Sequence, residues 1–458
     1  MQEVKKKISD FFELITSEKF FFYYIVLVML SLPVTELFDE IHHKRFASQP
    51  IIIEMAGYVG FFAFTFHFLK HKNIKYYLSD ALYLLLFTFA LLSALFTQDK
   101  DSTWFGFDYD EWLSNFMGYF GLMLAGTMIK QKQLRKNILV VFVIVTLIQV
   151  TVGTLQTLDI HIMECYYDDG YITRDRICYG LLQHSNWYGG LSVLMFACTA
   201  GIYLYTANKF IRNSMYILSM FCFYTLISAE ARLAWVGTFG FIVFMIFSMM
   251  VMKHMGYDKK KLSSILKRFL LLLAGMAAVI AICIFVFGRM KWKIQIMANE
   301  LNSDSDGLGS HRILIWKQGL KAVPKYWAFG IGLDNYKDAF FKDPNYTTKE
   351  IFQDKGHNEY LHYLVTQGVF QFITYMTLLV YAAKTAVRNV IHNDDNEERF
   401  INWILLGMFF GYAAQAFFNS SIVNVVPYFW ITIGMCLTQK NQHYFGYSKK
   451  NKTVSAKK

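Results

Sequence analysis

Gly309-Ser310-His311-Arg312-Ile313-Leu314-Ile315-Trp316, Gly330-Ile331-Gly332 and Gly356-His357-Asn358-Glu359-Tyr360-Leu361 lie in one polar insert, residues 288–362, bounded on both sides by apolar runs. Connections between elements typically run to about 4–6 residues. An insert of roughly seventy residues is therefore a functional loop or a disordered one. Trp292, Trp316, Tyr326, Trp327, Phe329, Tyr336, Phe340 and Phe341 predict that it folds, because disordered segments are poor in aromatics.

Outward from the insert, composition sets the class. The chain is 55% hydrophobic and 18% aromatic, with 17% charged residues and a net charge of +11. Soluble domains carry about 25% charged residues, so the composition is that of an integral membrane protein. Runs long enough to cross a bilayer core fall at 20–38, 51–69, 79–96, 112–129, 138–157, 181–203, 214–228, 233–252, 269–288, 360–383, 400–418 and 421–438. This predicts an all-α polytopic protein of about twelve transmembrane helices, with the large loop between helices nine and ten. Three regions follow: helices one to five within 1–180, a second membrane domain over 181–438 that carries the insert, and a basic tail over 439–458.

Basic residues set the orientation. Clusters fall on alternate connections: Lys5-Lys6-Lys7, Lys70/Lys72/Lys75, Lys130/Lys132/Arg135/Lys136, Lys209/Arg212, Lys259-Lys260-Lys261 with Lys267-Arg268, Lys384/Arg388 and the tail Lys449-Lys450. The pattern places both termini in the cytoplasm of a multi-pass cell-membrane protein and the insert outside. Because the positive charge sits on these loops, anionic lipid accounts for it and no nucleic-acid partner is called for. No cleavable signal peptide is visible, and Phe11, Phe12, Leu14 and Ile15 suit an N-terminal segment lying on the inner surface. Cys165 and Cys178 share an outward loop in an oxidising compartment and are expected to bridge around Asp168-Asp169.

Polar residues gather at one depth. Glu36, Glu54, Gln149, Gln156, Asn186, Glu230, Arg232, Asn419 and Asn424 all map to the outer halves or outer ends of spans. Each alone is compatible with an interhelical hydrogen bond; their shared depth points to a site at the outer boundary. A reaction there has no ATP or nucleotide sugar, so its substrate must arrive already activated. A lipid-linked diphosphate meets that condition, and Arg232, Arg312, Arg174 and Arg176 are the outward arginines able to grip it through planar bidentate pairing. Contact with lipid headgroups is the other account of Arg174 and Arg176.

Within the insert, Ser310 is placed to cap a helix starting near His311, with Ile313, Trp316 and Leu320 along one face on the membrane surface. Pro324 is expected to end it, and Gly330-Ile331-Gly332 to let the backbone turn. Asn358 reads as the N-cap of the tenth span, which sets His357 at the positive end of a helix dipole. That field, with any nearby arginine, keeps the imidazole neutral and able to accept a proton. Periodicity alone leaves open an interfacial histidine bonded to a loop. Asp304-Ser305-Asp306 has the form of a metal-binding Asp-x-Asp, but it lies on the wrong side for nucleotide-sugar donors and reads as a solvated turn.

The order Arg312…Trp316…Pro324…Gly330-x-Gly332…His357-Asn358-x-x-Leu361…Gly368 resembles the signature of the bacterial O-antigen ligase and polymerase superfamily, which includes Wzy-type repeat-unit polymerases. His184-Ser185-Asn186-Trp187-Tyr188-Gly189-Gly190 is similar to that family's Asn-containing motif at the sixth span. Ala231-Arg232-Leu233 resembles its Ser-Arg break between two spans, with Ala231 where Ser is usual. The resemblance covers roughly residues 178–430. It implies a GT-C-like membrane glycosyltransferase that needs neither metal nor cofactor and transfers a glycan, with inversion, from undecaprenyl diphosphate to an acceptor hydroxyl. In that reading His357, Arg312 and Arg232 are catalytic, and Asn186, Trp316, Asn358, Arg174 and Arg176 bind substrate. Its partners are the lipid-linked glycan donor, a glycan acceptor and the bilayer, with a flippase and a chain-length regulator as candidates.

The acceptor decides between polymerase and ligase. A second lipid-linked repeat makes a polymerase, which the low-GC character of the composition favours; a lipid, wall polymer or protein makes a ligase. A lipid-glycan transporter is a third reading. It would place its site at the midplane on broken helices marked by Gly and Pro, and the chain has only five prolines.

Overall fold

The computed structural model describes residues 2–41, 48–70, 78–106, 111–167, 170–172, 176–287, 295, 311–341 and 355–438. Each of the twelve predicted apolar segments falls on a helix. They are α2 (Glu18–Ile41), α3 (Gln49–Lys70), α4 (Leu78–Phe96), α6 (Leu113–Met128), α7 (Lys132–Gln156), α8 (Ser185–Tyr205), α9 (Lys209–Ser228), α10 (Arg232–His254), α11 (Lys259–Ala281), α14 (Glu359–His392), α15 (Asn396–Gln415) and α16 (Val426–Leu437). Among the described residues nine helices are long and apolar enough to cross a membrane, and the apolar stretches Gln49–Ala63 and Val426–Leu437 are shorter. The remaining helices are α1 (Gln2–Ile15), α5 (Lys100–Phe105), α12 (Arg312–Tyr326) and α13 (Asp338–Phe341). A two-stranded antiparallel hairpin, β1 (Cys165–Tyr167) and β2 (Gly170–Ile172), sits between α7 and α8. In the amphipathic α1, Phe11 and Leu14 are exposed.

The bundle is built around α8, in which every residue except Asn186 and Ile202 is buried. It packs against α9, α10 and α15. Small residues set the closest approaches, as expected where lipid removes the hydrophobic drive between helices. A Cβ added at Gly57 of α3 would lie 2.4 Å from the Cα of Gly118 of α6, and one added at Gly434 of α16 would lie 2.2 Å from the carbonyl oxygen of Met123. By contrast α11 buries only Ile265, Phe269, Leu272 and Met276, a single stripe at helical spacing.

Two arginines, Arg135 buried and Arg268 half-buried, tie helices together at the ends where the basic loops lie. Arg135 donates to Glu398 Oε2 at 2.7 Å, to Asn402 Oδ1 at 3.0 Å and to the Met435 carbonyl at 3.3 Å. Arg268 donates to the carbonyls of Leu204 and Thr206, at 2.8 and 2.9 Å, closing the C-terminus of α8. Arg135, counted in a loop cluster, is therefore an interhelical clamp.

Around the insert the structure departs from the sequence reading in five places. The helix expected at 421–438 starts only at Val426, and Asn419–Val425 forms a buried irregular segment. The helix expected to be capped by Ser310, which lies outside the described residues, has His311 at its N-cap with φ +62° and no side-chain cap. That helix runs past Pro324 to Tyr326. Its buried face is Ile315, Gln318 and Gly319, and Leu320 is exposed. It packs on α14 and α13, so it rests on protein through a different face from the one expected to lie on the membrane surface.

The fifth departure is the largest. α14 is broken at Gly368, at φ +80° and ψ 177°, so a broken span exists without a proline. The insert threads into the break. Ile331 N–H donates to the Val365 carbonyl at 3.0 Å, Gly332 N–H to the Thr366 carbonyl at 2.8 Å, and Val369 N–H to the Trp327 carbonyl at 2.7 Å. α4 and α5 hold the same segment from the other side. Thr97 Oγ1 donates to the Ile331 carbonyl at 2.8 Å, Thr103 Oγ1 to the Leu333 carbonyl at 2.9 Å, and Asn335 Nδ2 to the Asp99 carbonyl at 2.9 Å. Gly330-Ile331-Gly332 thus satisfies the backbone groups that the break frees.

Candidate active site

The segment Lys355–Asn358 returns the insert to the head of α14. Asn358 is its N-cap, with Oδ1 accepting from Leu361 N–H at 3.0 Å. Trp316 of α12 donates its indole N–H to the Gly356 carbonyl at 3.0 Å, and its ring lies 6.1 Å from that of Phe418. Both Trp316 and Asn358, read from the sequence as substrate-binding, thus position the turn that carries His357.

His357 has a left-handed backbone, φ +43°, which non-glycine residues seldom adopt. Its imidazole pKa is lowered to about 3, first by burial and then by the neighbouring Arg312, His184 and Lys355. The neutrality expected from a helix dipole and an arginine is therefore produced mainly by desolvation. Three separate segments converge here: the head of α12, the head of α8 and the end of the insert.

At the head of α8, His184 is the N-cap, and its Nδ1 accepts from Asn186 N–H at 3.1 Å. Nδ1 is therefore unprotonated and the ring proton sits on Nε2. The adjacent Gln183 is fully buried at φ +59°, and among the described residues neither atom of its side-chain amide has a hydrogen-bond partner. Asn186 is half-buried at the second position of α8. Gln149 and Gln156, counted with the outer polar residues, are structural. Gln156 binds Tyr179 N–H and both backbone groups of Gly180, and Gln149 accepts from Leu181 N–H at 2.9 Å, which fixes the loop entering α8.

Arg232 is the first residue of α10, half-buried. The N-cap before it, Ala231, makes no side-chain bond and is buried against α8, where a Cβ added at Gly189 would lie 2.5 Å from the Ala231 Cβ. The helix break at 229–231 is present as expected. Arg176 pairs with Asp159, Nε to Oδ2 at 3.1 Å, in an exposed contact. Arg174, Asp168, Asp169, Asp304 and Asp306 lie outside the described residues, as do the side chains of Glu36 and Cys165, so the expected Cys165–Cys178 bridge does too. Cys178 itself is fully buried against Gly153 and Tyr188. Among the described residues no group of three or more His, Cys, Asp or Glu side chains is placed to hold a metal ion.

A buried charge cluster lies beside the histidine. Lys355 Nζ pairs with Glu111 Oε2 and lies 3.6 Å from Asp334 Oδ1. Burial pushes the Glu111 carboxyl up to about 7, with Lys355 opposing and Asp334 and Glu359 reinforcing the rise. Glu359 accepts from the Tyr375 hydroxyl at 2.5 Å and the Tyr412 hydroxyl at 3.2 Å. The sequence reading quoted His184 only as part of a motif, without a role, and did not single out Gln183, Lys355, Glu111 or Asp334. The one available signal was an acid and a base, Glu111 and Lys355, in loops otherwise read as solvent-facing.

A neutral histidine beside an arginine, at one end of a helix bundle, can accept a proton close to an anionic group. Residues 217–376 match a family model described as O-Antigen ligase, an interval that contains Arg232, Arg312, Trp316, His357 and Asn358, with His184 and Asn186 upstream of it. Comparison with curated proteins gives no match. That match, over about a third of the chain, supports membership of the O-antigen ligase/polymerase superfamily and, with the nine apolar helices among the described residues, a multi-pass membrane enzyme of the ligase/polymerase type.

Proposed function

We propose that the protein transfers a glycan from undecaprenyl diphosphate to an acceptor hydroxyl at the outer face of the cell membrane, and that it elongates surface polysaccharide by joining lipid-linked repeat units. The observation that carries this reading is the neutral, half-buried His357 beside Arg312. His357 withdraws the hydroxyl proton as the acceptor oxygen attacks the anomeric carbon. Undecaprenyl diphosphate leaves from the opposite face, so the configuration inverts. A diphosphate is a good leaving group without protonation, and fixed cations stabilise the charge that develops on it. Arg312 and Arg232 supply that charge, without a metal ion. Asn186, Trp316, Asn358, Arg174 and Arg176 complete the substrate site by contact or by positioning.

The architecture belonging to this reading has twelve spans in a GT-C-like arrangement, both termini in the cytoplasm, and the three regions 1–180, 181–438 and 439–458. A flippase supplies the donor and a chain-length regulator limits the product.

The test separates the two main roles in nanodiscs supplied with a lipid-diphosphate-linked repeat unit. His357→Ala should still bind donor while transfer falls roughly 10²–10⁴-fold. Arg312→Lys keeps charge but loses the planar fork, so donor binding should weaken along with transfer. A fully active His357→Ala protein overturns the assignment.

A further inference from the structure

Lys355 is a lysine where lysines are rarely found. Its residue is 2% exposed, between Glu111 at 7% and Asp334 at 3%. The three come from three segments: the loop before α6, the stretch that threads the α14 break, and the end of the insert. A buried ion pair is weak evidence for stability, because desolvation offsets the attraction. This one sits two residues before His357, whose left-handed backbone persists only if its surroundings impose it.

The turn is restrained residue by residue. Lys355 is held by the two carboxylates, the Gly356 carbonyl by Trp316 and its N–H by His362 Nδ1 at 3.4 Å, Asn358 by its cap, and Glu359 by two tyrosines. We propose that Lys355, clamped by Glu111 and Asp334, is a positioning residue for His357: it fixes the turn that presents the imidazole and places the cation of the ion pair beside it. This rests on His357 being the base.

The groups acting on His357 are Arg312 from α12, His184 from α8, and Lys355 from its own turn, with Glu359 bonded to Tyr375 and Tyr412. Removing the Lys355 charge takes away one of three neighbours that favour the neutral ring. The imidazole then protonates at higher pH, and the turn loosens.

The experiment uses full-length protein in nanodiscs. The variants are Lys355→Met, Lys355→Arg and Lys355→Met/Glu111→Gln; the last avoids leaving a carboxylate without its lysine if the single variant does not fold. The first readout needs no substrate: the rate of His357 carbethoxylation by diethylpyrocarbonate against pH, followed by mass spectrometry. The second is transfer rate alongside undecaprenyl diphosphate binding. Folded Lys355→Met, or the double variant, should show the His357 profile moved to higher pH and transfer down about 10²-fold, with lipid binding within a few-fold of the parent. Lys355→Arg should recover most of both. A folded variant with the parent's carbethoxylation profile overturns the proposal. If His357→Ala is fully active while Lys355→Met still moves the profile, the positioning stands and the catalytic reading falls.

Discussion

One of the ties between the insert and the membrane domain depends on a single glycine, and Gly368→Ala tests it. Its φ of +80° with ψ 177° lies in a region open essentially to glycine alone, and an alanine held there costs about 1–3 kcal/mol. The added Cβ would also lie 2.3 Å from the Ala328 carbonyl oxygen and 2.5 Å from Phe329 N. These are backbone atoms, which cannot swing aside as a side chain would. Overpacking of this kind costs about 1–3 kcal/mol, so the total is about 2–6 kcal/mol. Gly256→Ala supplies the calibration, since Gly256 has φ +70° and nothing within 4 Å of its added Cβ; it carries the backbone cost of a positive φ without a clash. Thermal unfolding in one detergent should therefore rank parent, Gly256→Ala and Gly368→Ala in falling order. Hydrogen exchange should show lost protection at Ile331, Gly332 and Val369, whose N–H groups bridge the break. Equal melting of the two alanine variants, with those three amides still protected, would refute the account of the break.

With His357 at about 3, the ring stays neutral in more than about 99% of molecules at pH 5.5, whereas an ordinary histidine would be neutral in roughly 10%. A diphosphate diester does not titrate there, so kcat/KM for the donor should show no acid limb between pH 8 and 5.5; a limb centred near 6.5 would remove His357 as a buried neutral base. The same depressed value means that the folded state binds fewer protons than the unfolded one below about 6.5, so the stability contributed by this group is present above that pH and lost as pH falls towards about 3. Transfer by purified protein should persist in EDTA; activity lost there and restored by magnesium or manganese would return Asp304 and Asp306 to consideration. Cysteines at the exposed Lys321 and Lys325 should label from outside intact cells, and those at Lys209 and Lys260 should not; the reverse pattern overturns the orientation. Lys355 is unsuitable for this purpose because it is buried.

Much of the fold is legible without coordinates because membrane folding is dominated by local rules. An apolar run must form a helix to satisfy its own backbone, which is why all twelve segments fall on helices, and why Asn358 is recognisable as a cap and 229–231 as a break. His357 and Arg312 stood out by residue type and place in a motif, again a property of short stretches. What local rules do not contain is which distant segment supplies a partner. Gly368 breaks a span because Trp327–Gly332 is there to take its backbone hydrogen bonds, and no periodicity in the span announces that. Helix α12 buries Ile315, Gln318 and Gly319 because protein, rather than lipid headgroups, lies beneath it. Glu111 and Lys355 stand 244 residues apart in stretches that read as solvated loops, and only the folded chain excludes water from both. The burial that keeps His357 neutral has the same origin: desolvation belongs to the three-dimensional neighbourhood of an atom, which the tertiary structure alone decides.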